Sequence, residues 1–264
     1  MKVESAEQAQ ADSHYRLALV ELLTQLADDE LCLGHRDSEW LGLAPDIEED
    51  VAFSSIAQDE VGHAVFFYER LHELGEAEPD DLAFLRPASE RKNAILVEGP
   101  NGDWAMTITR HFLYDTFDAV RIEAAEQSGY VPLAQGAAKI RREERYHQMH
   151  LHLWFTRLLS AGGEARERME RAVRHWWPRM GDLFSLGHRE AEMVRLGILP
   201  WGSEEMRRRW EERIRPAFLE NGLPWPGEWR IEGADGRQGE HTGDLVALIR
   251  TMSEVKETDP AARW

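Results

Sequence analysis

Apolar residues recur along this chain at alternating steps of three and four, the spacing that lines one face of a helix. Leu133, Ala137 and Ile140 form one such stripe, and Leu151, Trp154 and Leu158 continue it. They predict a helix that starts near Pro132, a favourable first-turn proline, and ends before Gly162-Gly163. Phe53, Ala57, Ala64, Phe67, Leu71 and Leu74 predict a helix over 46–74, with Gly75 placed to end it. Leu19, Leu23, Leu26 and Leu33 predict one over 13–37, capped by Ser13. Ala105, Ile108, Phe112, Ala119 and Ile122 predict another, from Asp103 to before Gly129. Between the second and third of these in chain order, 76–102 carries Pro79, Pro87, Pro100 and Gly102, and reads as an irregular crossover between helix pairs. Beyond them lie a helical region over 164–196 kinked or split at Pro178, a helix over 203–220, a loop over 222–239 and a last helix over 242–257 capped by Thr242. No alternation long enough for a sheet occurs. The expected architecture is all-α, with a four-helix bundle at 1–162 and a C-terminal helical extension at 163–264 packed on it.

Each of the four stripes is interrupted by polar residues where the pattern reserves a place for core. In the 132–161 helix the stripe runs through Glu144 and His147. In the 46–74 helix it is broken by Glu60, with His63 beside it. The chain thus carries Glu-x-x-His twice, each time in mid-helix. The first helix sets Glu30 in its stripe and the third sets Asp115. Glu30 precedes Glu60 by 30 residues and Asp115 precedes Glu144 by 29, so two similar hairpins would bring the groups to similar depth. The offset near 85 residues is a weak internal repeat.

Such a set is costly by itself. An ionised carboxylate in a dry core costs several kcal/mol when unpaired, and four together repel one another. Two cations reverse that balance. Residues three apart share a helix face, so one helix can offer both a carboxylate and an imidazole nitrogen. One acid from each of two helices plus Glu-x-x-His from two others is the ligand template of ferritin-like di-iron and di-manganese proteins. The candidate ligands are therefore Glu30, Glu60, His63, Asp115, Glu144 and His147, holding two iron ions, with manganese the alternative.

Plainer accounts stand beside this one. His63 and His147 are also readable as satisfied core histidines, Glu60 and Glu144 as partners of Arg142 or Arg145, and Glu30 as exposed. Asp118 and Glu123 compete with Asp115 on the same helix. A single Glu-x-x-His means little among 49 acids and 11 histidines; two in core stripes, each preceded by an acid about 30 residues upstream, mean much more. Asp28, Asp29, Asp59 and Glu143 read as solvated groups or as supports behind the ligands, with Asp59 a candidate acceptor of a ligand histidine's proton. Tyr146 reads as a packing residue, His150 and His152 as surface, and Trp176 and Trp177 as core or interface anchors.

Composition narrows the function. A net charge of -18 argues against nucleic acid as a partner. No apolar run approaches membrane-spanning length and the first residues lack a secretory pattern, so the expectation is a soluble cytoplasmic protein. The single Cys32 fits a reducing compartment.

Several segments carry a resemblance: Ser38-Glu39-Trp40, Ala44-Pro45-Asp46-Ile47-Glu48, Leu96-Val97-Glu98-Gly99-Pro100-Asn101-Gly102, Arg145-Tyr146-His147, and Gly239-Glu240-His241-Thr242 with a tail ending at Trp264. In them the chain resembles the C-subunit family of the ring 1,2-phenylacetyl-CoA epoxidases of phenylacetate catabolism, over nearly its whole length. The resemblance implies a ferritin-like fold and a multicomponent oxygenase in which an A-type subunit holds di-iron while the C-type subunit has typically lost ligands. Here all six ligand positions are filled, as in the A type. The expected function is a di-iron oxygenase, or a component of one, acting on a small aromatic or acyl-CoA substrate. Its partners would be a second copy or a related helical subunit, and a reductase. The alternative is a non-catalytic structural subunit. Iron storage is disfavoured by the more than 100 residues beyond the fourth helix. A radical-tyrosine reductase subunit is disfavoured by Phe67, which stands one turn after His63.

Overall fold

A computed structural model describes residues 2–227 and 234–260. Ten α-helices are described: α1 (Ala6–Gln10), α2 (Ser13–Ser38), α3 (Ile47–Glu73), α4 (Pro79–Phe84), α5 (Trp104–Glu126), α6 (Val131–Ser160), α7 (Gly163–Trp176), α8 (Glu190–Arg195), α9 (Ser203–Glu220) and α10 (Gly243–Thr258). The described residues hold no strand; one backbone bridge joins Val3 to Tyr130. None of their helices is long and apolar enough to cross a membrane.

Local chemistry sets the helix ends. Asp46 accepts from the Glu49 amide at 2.9 Å, Asp103 from the Met106 amide at 3.0 Å and Thr242 from the Asp244 amide at 3.2 Å, each satisfying an otherwise orphaned donor. At the start of α2 the cap is Asp12, not Ser13: its carboxylate accepts from the His14 and Tyr15 amides. Gly75, with φ +90, turns the chain after α3. The crossover is less irregular than expected, since it contains α4 and two single 3₁₀ turns, 88–90 and 95–97. The expected 164–196 helix is split: α7 ends at Trp176, a 3₁₀ turn holds Pro178, and α8 begins only at Glu190. Residues 228–233 of the expected loop, and Trp264, lie outside the described residues.

The four long helices form two hairpins, α2 on α3 and α5 on α6. Gly34 permits the close approach of the first pair, because a Cβ there would stand 3.0 Å from Cβ of Glu60. The apolar stripes meet inside: Leu19, Leu23, Leu26, Phe53, Phe67, Ile108, Leu133 and Leu151 are all buried. Helix α5 is also covered by α7 and α9. There the Trp176 indole donates to the Met106 carbonyl at 2.8 Å and the Trp210 indole to the Leu113 carbonyl at 3.1 Å. Trp176 and Trp177 are thus core anchors, as expected. The result is a bundle interior closed on one side by Trp176 and Trp210, whose indole N–H groups are satisfied.

Candidate metal centre

Helix α2 brings Glu30 to the bundle interior, α3 brings Glu60 and His63, α5 brings Asp115, and α6 brings Glu144 and His147. Each is at most 3% exposed. Donor atoms of Glu30, Glu60, His63 and Glu144 all lie within 4.8 Å of one another. Nδ1 of His63 stands 3.3 Å from Glu30, 3.7 Å from Glu60 and 3.6 Å from Glu144. Nδ1 of His147 stands 3.3 Å from Glu60 and 3.2 Å from Glu144. Glu60 and Glu144 therefore face both imidazoles and form the middle of the cluster. Neither pairs with Arg142 or Arg145, and Glu30 is not exposed.

Asp115 stands at the edge. One oxygen lies 3.3 Å from Nδ1 of His111, and the other is buried with no partner. Its competitors are committed elsewhere, Asp118 to Arg121 at 2.6 Å and Glu123 to Arg209 and Arg213. Buried atoms without a hydrogen-bond partner also include Oε2 of Glu60, Oε1 of Glu144 and Nδ1 of His147. Orphaned buried polar atoms are rare and need an account. Here those of Glu60, Glu144 and His147 belong to side chains in mutual contact, and all are donor atoms suited to a metal.

The far side of each imidazole is held as well. Nε2 of His63 lies 3.1 Å from Glu143, and Nε2 of His147 lies 3.2 Å from Asp59. Each histidine is thus steadied by the acid that precedes the other hairpin's glutamate. With the ring proton on Nε2 donated outward, Nδ1 keeps its lone pair toward the cluster, the arrangement that orients metal-bound histidines.

Electrostatics shows how strained this interior is in protein groups alone. Burial, then the neighbouring Glu60 carboxylate, pushes Glu30 well above the carboxylate range. Burial likewise raises Asp115 and Glu144. Burial alone would lower His63, but the Glu30 and Glu60 carboxylates overturn it and hold the ring up to about 12; His147 is raised by Glu144 and Glu60 in the same contest. At neutral pH the cluster therefore holds protons that cations must displace. The sign follows. A group whose pKa is raised on folding stabilises fully below its unfolded value, and loses that contribution as pH rises toward its folded value. For the acids the loss begins in the ordinary carboxylate range; for His63 it spans 6.5 to about 12. We expect metal affinity to weaken as pH falls, and the gain in melting temperature on adding Mn²⁺ to be larger near pH ~8 than near pH ~5.5. Thermal melts with and without metal at the two pH values check this; an equal gain at both would contradict it.

Two further buried groups escaped the sequence reading. His111 lies one turn before Asp115, with Nε2 2.6 Å from Asp37. Against burial, Asp37 and Asp115 hold it up to about 10. Arg121 reaches Asp29 at 2.5 Å, Asp118 at 2.6 Å, the Tyr114 hydroxyl at 2.7 Å and Glu30 at 3.4 Å. The available signal was the presence of Arg110, His111 and Arg121 among the apolar residues of α5. Asp28 and Asp29, read as solvated or as supports behind the ligands, are fully buried and so not solvated: Asp28 pairs with Arg86, and Asp29 with Arg121 and Arg237. Tyr146, read as packing, is 73% exposed. His152 is exposed as expected, while His150 is half-buried with Nε2 2.8 Å from Glu49.

Fold and cluster define the class: an all-helical bundle whose two hairpins enclose a carboxylate–histidine cluster of metal-binding composition. The family model described as phenylacetic acid catabolic protein matches residues 1–264, and the chain belongs to that family. It is 31% identical to the C subunit of 1,2-phenylacetyl-CoA epoxidase from Escherichia coli (strain K12) over 243 residues, covering 91% of this chain and 96% of that one. It is 25% identical to the A subunit of the same bacterium's enzyme over 212 residues, covering 80% of this chain and 66% of that one.

Proposed function

We propose that this chain is a di-iron carboxylate oxygenase, or the metal-bearing component of a multicomponent monooxygenase resembling phenylacetyl-CoA epoxidase. The observation that carries this is the burial of Glu30, Glu60, His63 and Glu144 with donor atoms within 4.8 Å of one another, beside His147, with atoms of Glu60, Glu144 and His147 left without a hydrogen-bond partner. In this reading 1–162 is the metal-binding bundle and 163–264 the helical extension packed on it. Glu60 and Glu144 face both imidazoles, and with Glu30, His63, Asp115 and His147 they would hold two ions. Two iron ions would supply the redox activation of dioxygen, with manganese the alternative occupant.

The protein's own part is to hold and to exclude. Glu143 and Asp59 keep the imidazoles turned inward. His111 and Arg121 hold one oxygen each of Asp115 and Glu30, leaving the other toward the cluster. Phe67, one turn from His63, and Ile140 and Leu151 on α6 are buried and keep water out. The similarity to two subunits of phenylacetyl-CoA epoxidase supports phenylacetyl-CoA as the substrate and pairing with a related helical chain. A reductase would deliver electrons.

A non-catalytic structural subunit would have no need to bury six intact ligand groups at such cost, so the filled set favours the catalytic reading. Oxygen uptake tests it. Iron-loaded protein with a chemical reductant, alone or with a related chain of the catalytic type, should consume dioxygen faster when phenylacetyl-CoA is added and should yield an oxygenated thioester. Uptake that ignores both iron and thioester would overturn the proposal.

A further inference from the structure

A cleft of about 660 Å³ opens between α5, α6 and α9, and it is the described cleft whose wall includes a proposed ligand, Asp115. Its floor is apolar: Phe112 and Leu151 are buried there, and Phe112 stacks on Phe155 with ring centroids 3.8 Å apart. Its rim carries the guanidinium groups of Arg145 from α6 and Arg213 from α9, with the imidazole of His152 beside them. Asp115 is the sole acid lining it, in a chain of 49 acids and 31 basic residues. Two other described clefts differ. One beside α2 carries Glu21, Glu76 and Glu192 among its cations, and one beside α9 carries Glu190, Glu204 and Glu211.

The pairing of the rim cations matters more than their number. Arg213 and Arg209 both meet Glu123, and Arg209 meets Glu205 as well. Arg145 has no ion-pair partner among the described residues. On a surface of net charge -18, an unpaired guanidinium beside Arg213 at the mouth of a greasy cleft is the complement of an amphiphilic anion. An apolar body would lie on Phe112 and Leu151, next to Asp115, while its anionic end stays at the rim.

We infer that this cleft is where the substrate enters, and that Arg145 and Arg213 recognise the anionic handle of an aryl or acyl compound. The inference rests on the oxygenase reading and adds the residues that select the substrate. The anion has two sources, the phosphates of a coenzyme A thioester or the carboxylate of the free acid. Both put negative charge at the same rim.

Calorimetric titration of the full chain separates the cases, with phenylacetyl-CoA, phenylacetate and neutral phenylacetamide as probes. At least one anion should bind, and the neutral amide should bind at least ~10-fold more weakly, the scale of one charge-assisted hydrogen-bonded contact. The thioester binding and the free acid failing would assign the phosphates; both binding equally would assign the carboxylate-sized site. Arg145→Ala and Arg213→Ala should each weaken the anion by about tenfold and flatten its salt dependence, while Arg145→Lys recovers part of the affinity. Metal content should equal that of the wild type in all three. The inference fails if no probe binds the wild type, if the amide binds as well as the anions, or if both alanine variants stay within about twofold of wild type. Failure of the metal reading shows separately, as a chain that takes up no iron, and the titration can be scored on that chain too.

Discussion

Glu60→Ala or Glu144→Ala abolishes two-metal binding while leaving the helices in place. Both carboxylates face both imidazoles, at 3.2 to 3.7 Å, so removing either takes away the group that would serve both ions. The rest of the bundle does not depend on them. The stripes that bury α3 and α6 run from Phe53 to Leu71 and from Leu133 to Leu159 and are untouched. Metal analysis after reconstitution should fall from about two ions per chain to less than one, with far-ultraviolet circular dichroism unchanged. Unchanged stoichiometry in both variants would show that the ligands lie elsewhere.

Much of this centre was legible in the sequence, for a definite reason. Period and polarity conflict at Glu30, Glu60, Asp115, Glu144 and His147, and that conflict is local, visible within one helix. The cap at Thr242 was legible from its place ahead of a helical stretch, whereas α2 is capped by Asp12, one residue before the expected Ser13. The supports were not. Asp29 meets Arg121 across 92 residues and Arg237 across 208. Asp28 meets Arg86 across 58. No periodicity relates such partners, so an acid whose cation lies in another segment looks solvated. Glu143 and Asp59 fall between: each adjoins a buried glutamate of the cluster in sequence but steadies the histidine of the opposite hairpin.

The second large effect is expected from Arg121→Met. This guanidinium is 1% exposed and holds Asp29 at 2.5 Å and Asp118 at 2.6 Å, with Glu30 at 3.4 Å. Asp29 keeps Arg237 as a second partner, but Asp118 has no other cation among the described residues. Burial already pushes Asp118 up to about 7 in spite of Arg121. Removing one partner of a buried charge network costs about 3–5 kcal/mol, because the other charges remain uncompensated. For a chain of this size that lowers the melting temperature by roughly 5–10 °C. Arg121→Lys should recover only part of it, since a single ammonium cannot reach two aspartates and the Tyr114 hydroxyl as the planar fork does. Thermal unfolding followed by circular dichroism measures this. A loss below about 1 kcal/mol in the methionine variant would mean that the network carries little of the stability.

The stability of the bundle and its proposed chemistry meet in one requirement, that positive charge other than the imidazoles be supplied where four acids are buried together. Elemental analysis of the purified, iron-reconstituted chain, with an absorption spectrum of its oxidised form, tests this most directly. The expected result is about two irons per chain and near-ultraviolet absorption that disappears with chelation. A chain that remains folded, takes up neither iron nor manganese and shows no such absorption would contradict it.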